Sequence, residues 1–172
     1  MNNISTAFKY NASDAEIMKK LLVIHPDEQV GYFERKSNQL SDYAYWFLLS
    51  TMWVKEAAVA PISQWMRLFS AKRPNRRISL MKPNEMALFK KLPNKLTVYR
   101  DHADETDWIS YTLNPQTAIK FANMKNVNEV AEYKLKKHDC LALFLRRDEM
   151  EVLCMDKELA KRTRTITAKK EK

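Results

Sequence analysis

The chain has 172 residues and a mass of 20.3 kDa, with 45% hydrophobic and 10% aromatic residues; that size and composition lead us to expect one domain with its own core and exclude a disordered chain. A formal net charge of +9 favours anionic partners, and the single glycine, Gly31, excludes the Gly-rich phosphate loops of P-loop and dinucleotide-binding folds. No apolar run of about 18 residues suggests a membrane span, and no basic-then-apolar leader is readable, so a cytoplasmic protein is expected.

In chain order, residues 14–25 (DAEIMKKLLVIH) repeat apolar side chains near the helical period after a Ser13/Asp14 start signal, and Pro26 is expected to end that helix. Residues 41–60 (SDYAYWFLLSTMWVKEAAVA) carry aromatics on more than one face, which predicts a central buried helix capped by Ser41 or Asp42. Residues 62–69 make a third helical piece after Pro61, and 82–93 a fourth, with Asn84 as its cap.

The period then changes. Residues 95–100 (KLTVYR) and 107–113 (DWISYTL) have strand composition, and 114–125 reads as a helix with Asn114 as cap and Pro115 in its first turn. Residues 130–139, 140–145 and 150–155 are further strands. Helices followed by short strands with one inserted helix predict an α+β fold: a helical lobe over 1–92, a mixed or antiparallel β core over 93–156, and a basic tail over 157–172.

His25, His102 and His138 have no partners at metal-ligand spacing, so no metal site is expected, and Cys140 and Cys154 have no paired histidine motif. Residues 71–82 carry five basic residues and no acid, and 157–172 carry seven against Glu158 and Glu171. Each reads as a solvated segment or as a polyanion-binding surface. The remaining set is Arg100 at the end of a strand, Ser110, Tyr111 and Thr112 on the next, and Glu149 and Glu151 opening the last. On an extended strand, residues 149 and 151 would face the same way.

In that order the set resembles the arginine–serine–glutamate branch of the ADP-ribosyltransferases, on the stretches LTVYRD, WISYTLNPQTAIKFAN and LALFLRRDEMEVLCM. It is especially similar to small phage and bacterial members reading "YRG", "SWTL" and "R-x-E-x-E-V". The resemblance spans about residues 92–155 and departs from those members at Asp101, where glycine is common. It implies a mono-ADP-ribosyltransferase that uses NAD to modify a host protein, commonly at arginine, in a host cytoplasm if phage-encoded. It also implies site roles. Glu151 stabilises the ribosyl cation, Glu149 orients or deprotonates the acceptor, Arg100 grips phosphate, Ser110 braces the site with Thr112 beside it, and Tyr111 stacks on nicotinamide.

Such roles suit the chemistry. NAD offers a pyrophosphate that an arginine fork can hold, and positive charge grows on its ribose as nicotinamide leaves, where a fixed carboxylate stabilises it. Arg100 could equally pair with nearby acids, and Glu149 and Glu151 could be the solvated face of an edge strand. The alternative function is a non-enzymatic basic module of the same fold that binds nucleic acid or a host protein through 71–82 and 157–172.

Overall fold

The computed structural model describes residues 4–102 and 106–168. The chain divides into two compact units, Met1–Ala87 and Leu88–Lys172. The division falls within a helix, a few residues before the expected lobe boundary at 92/93.

The first unit is helical. Helix α1 (Ala12–Val23) is capped by Asn11, whose side chain accepts from the Ser13 and Asp14 amides. Asp14 instead accepts from the Ser41 amide at 2.8 Å and the Ser41 hydroxyl at 2.6 Å. Pro26 does not merely end a helix. It opens α2 (Pro26–Lys36) from its first position, where a missing N–H costs nothing. Ser41 caps α3 (Asp42–Glu56) by accepting from the Ala44 amide.

Buried aromatics hold this unit together. Trp46 of α3 and Trp65 and Phe69 of α4 (Ile62–Phe69) are fully buried. Their polar tips are satisfied as burial demands. Trp46 Nε1 donates to the Pro74 carbonyl at 3.0 Å, Trp65 Nε1 to Ala57 at 2.9 Å, and the Tyr45 hydroxyl to Leu68 at 2.8 Å. A short α5 (Arg76–Leu80) precedes α6 (Pro83–Lys91). Asn84 is not the cap of α6: Glu85, fully buried, reaches back to accept from the Lys82 amide at 2.7 Å, one half of a capping box.

The second unit is one antiparallel six-stranded sheet. Its strands are β1 (Lys95–Asp101), β2 (Ser110–Thr112), β3 (Glu129–Lys136), β4 (Cys140–Phe144), β5 (Glu151–Cys154) and β6 (Lys161–Thr167). They lie in the order β4-β5-β2-β1-β3-β6. The α+β class is as expected. Helix α7 (Pro115–Met124) starts as read, with Asn114 accepting from the Gln116 amide. Its Ala118 and Ala122 pack on Val130 and Ala168, with Tyr99 and Ile166 against the cluster.

Two features of the sheet position the site. Strand β1 pairs with β3 at every residue from Lys95 to Asp101, yet with β2 only at Tyr99–Thr112. The sheet is therefore joined narrowly at its middle. The second feature is β6. The segment read as a tail is an edge strand paired with β3 from Glu129–Thr167 to Lys134–Lys161. Ala168 beyond it is buried, and its amide donates to the Asn128 carbonyl at 2.8 Å. The Thr-rich alternation of KRTRTIT carried that strand, and its charges masked it.

Candidate active site

Register determines which side chains share a face. Thr112 opposes Glu151 across β2 and β5, and Tyr99 across β1 and β2. Opposed residues and residues two apart point the same way. Ser110, Thr112 and Glu151 therefore lie on one face, the face that carries Tyr99 and α7. There the Ser110 hydroxyl donates to Glu151 Oε1 at 2.7 Å. Both residues are half-buried. A hydroxyl donor at this distance holds the carboxylate in place.

Arg100 falls on the opposite parity. It opposes Ala131, while its neighbours Tyr99 and Asp101 oppose Glu132 and Val130. Its guanidinium stands 5.7 Å from the Trp108 ring. The resemblance implies that the side chains of Arg100, Ser110 and Glu151 line one cleft; Arg100 and Glu151 instead lie on opposite faces of the sheet, so that geometric implication of the resemblance fails. What joins them is Ser110 itself. Main-chain bonds from Cys154 to the Ile109 carbonyl and from Leu113 to Met150 turn those residues toward β5. The alternate residue, Ser110, turns its carbonyl toward β1, and Arg100 Nη1 donates to it at 2.8 Å. Where the two strands cease to pair, a guanidinium replaces the missing ladder bond.

Glu149 is not on a strand. Its backbone is helical (φ −88°, ψ −15°) and β5 begins at Glu151, so strand alternation does not relate the two carboxylates. The turn that carries it is strained: Arg147, Asp148 and Met150 have φ of 65°, 57° and 45°, the left-handed region that non-glycine residues avoid. Its supports are specific. Thr112 Oγ1 donates to the Glu149 carbonyl at 2.5 Å and accepts from the Asn114 amide at 3.0 Å. The Glu149 carboxylate pairs with Arg147 at 2.8 Å. Thr112 is buried and committed to these bonds, so its place is to hold the turn against α7 and not to touch a cofactor.

Tyr111 is also corrected. It is 2% exposed, on the face away from Ser110, and its hydroxyl accepts from Trp108 Nε1 at 2.9 Å. No ring face is available for nicotinamide. Burial pushes its pKa well above the ordinary phenol range, so it stays protonated.

Residues that the motif reading passed over gather on this second face. His102 Nε2 lies 2.6 Å from the Tyr133 hydroxyl, and its ring packs 4.5 Å from Trp108. Together with Arg162 they line a cavity of about 580 Å³. The aromatic Trp108 just before a strand was the one available signal. The acids of the 101–108 segment are matched where described. Asp101 pairs with Lys125 at 2.8 Å and Asp107 with Lys157 at 3.5 Å, while residues 103–105 lie outside the described residues.

The basic segments meet different fates. Arg73 donates to the Ser37 and Leu40 carbonyls and to Asp42, and Arg76 to the Phe69 carbonyl. On β6, Lys161, Arg162 and Arg164 are exposed, with Arg164 bonded to Glu132 at 2.8 Å. Cys140 and Cys154 are buried cross-strand neighbours, free thiols, and burial raises the pKa of Cys154. Among the described residues no three potential metal ligands converge, and no helix is long and apolar enough to cross a membrane. Compared with known proteins, the chain matches no protein family, no curated protein and no solved structure.

Proposed function

We propose that the chain is a mono-ADP-ribosyltransferase that takes NAD as substrate and transfers its ADP-ribose to a protein side chain, arginine being the acceptor that suits Glu149. The observation that carries this reading is the 2.7 Å bond from Ser110 to Glu151; Arg100, on the opposite face, reaches only the main chain of that serine and weighs against a shared Arg–Ser–Glu cleft. Ser110 and Glu151 are 41 residues apart in sequence and meet through this bond.

In this reading Glu151 faces the ribose. As the bond to nicotinamide breaks, positive charge spreads over the ring, and a carboxylate already oriented stabilises it without reorganisation at the moment of reaction. Ser110 supplies the orientation. Arg100 acts through Ser110, by holding the β2 main chain where β1 departs. Its role is thus bracing, in place of the phosphate grip implied by the resemblance. Glu149, on its strained turn, takes the proton from the acceptor nitrogen.

The test is release of nicotinamide from NAD by the full chain and by Glu151→Gln. The variant keeps size and hydrogen bonding and removes the charge, so turnover is expected to fall by about two orders of magnitude or more. Equal turnover by both proteins would overturn the proposal. The nucleic-acid reading draws less support, because Arg73 and Arg76 direct their guanidiniums to carbonyls of their own chain.

A further inference from the structure

The Arg147–Glu149 pair has a chemical identity that bears on the acceptor. If Glu149 exists to receive a guanidinium, it already holds one: Arg147 Nη2 lies 2.8 Å from Glu149 Oε1. This contact joins residues only two apart. Along it Arg147 and Asp148 adopt left-handed backbone conformations, an unusual choice for side-chain-bearing residues in succession. Thr112 holds the turn from the other side through the Glu149 carbonyl. The Arg147 side chain is 52% exposed and that of Glu149 20% exposed. The carboxylate is thus sheltered while the guanidinium over it stands at the surface, where an incoming group could displace it.

We infer that Arg147 is a built-in stand-in for the acceptor: its guanidinium occupies the place at Glu149 that a target arginine takes during transfer, and it competes with that target. The inference rests on the transferase reading above, with its arginine acceptor, and adds a competitor for that acceptor within the chain. In the productive arrangement the target guanidinium replaces Arg147 at Glu149. The ribose–nicotinamide bond breaks, with its electron pair leaving on nicotinamide. A bond forms from the target nitrogen to the same ribose carbon, and that nitrogen's proton passes to Glu149. The competition sets a threshold. A free small guanidine must displace a tethered rival, whereas a docked protein target with additional contacts does so more easily.

The test compares the full chain with Arg147→Ala, using NAD and agmatine as a soluble guanidino acceptor, and follows agmatine modification and nicotinamide release together. A half-exposed ion pair is worth up to about 1 kcal/mol, so the KM for agmatine is expected to fall by about two- to fivefold in the variant. An unchanged or raised KM, with NAD still consumed, overturns the stand-in and leaves the transferase reading in place. Consumption of NAD by neither protein overturns both. The two failures are therefore distinguishable.

Discussion

The helical unit and the sheet unit treat their polar groups in opposite ways. In the first, buried donors are turned inward to close the structure: the Trp46, Trp65 and Tyr45 tips and the Arg73 guanidinium all end on main-chain carbonyls. In the second, a half-buried carboxylate accepts a hydrogen bond from a serine, a turn is strained at three residues, and two strands part after one pair. Such departures cost free energy and persist where surrounding contacts over-determine them, and it is there that the proposed function places its chemistry. The difference teaches where to look for chemistry in this chain: among conformations that packing alone does not require.

The largest expected effect lies in the helical unit. Trp65→Ala deletes a fully buried ring and its bond to Ala57, and is expected to lower the stability of that unit by about 3–5 kcal/mol, read by urea unfolding. NAD turnover per folded molecule should not change. A variant that stays folded yet loses turnover would break the comparison, because it would place chemistry in the helical unit.

A smaller effect is expected at Thr112. Thr112→Val removes a buried hydroxyl that serves both the Glu149 carbonyl and the Asn114 amide, leaving polar groups unsatisfied at a cost of about 1–3 kcal/mol. Stability should fall moderately. Transfer to an acceptor should fall more than NAD hydrolysis, because Glu149 loses its support while Glu151 keeps Ser110. Equal losses in both reactions would mean that Thr112 supports the strand alone.

The smallest is a pH effect at the edge strand. Burial acts to raise the pKa of Glu132, but hydrogen bonds from Thr163 and Arg164 outweigh it and hold the carboxyl below its ordinary 4.5. A depressed folded-state pKa means that the stabilisation is complete above the unfolded value and is lost as pH falls through the folded one. The melting temperature of the native chain should therefore exceed that of Glu132→Gln at neutral pH, and the gap should shrink below about pH 4.5. A gap that is flat down to pH 3 would show that β6 is held without this charge. Removing 157–172 would delete a paired strand and the buried Ala168, so loss of stability is the expected result.

Much of this was legible in the chain itself. Asn114 and Pro115 announced α7 because capping is local chemistry, complete within four residues. Strands β1, β3, β4 and β5 were visible in alternation and branched or aromatic content. Ser110 and Glu151 were selected by their order along the chain, and they meet. Other features were hidden for a definite reason. Pro26 could end one helix or begin the next, and only the packing of Val30 and Phe33 decided. β6 has no apolar face of its own to declare it, and exists as a strand because β3 offers it a free edge.

What the sequence determined, then, is the set of locally encoded elements and the short list of residues able to do chemistry, since propensity, capping and charge are properties of neighbours along the chain. Only the tertiary structure decided how that list is arranged. Register, a relation between strands far apart in sequence, placed Arg100 on one face and Glu151 on the other and buried Tyr111. It also brought Glu149 out of the strand, into a turn whose strain its neighbours hold in place. A one-residue slip between β1 and β2 would reverse those faces without altering a single local preference.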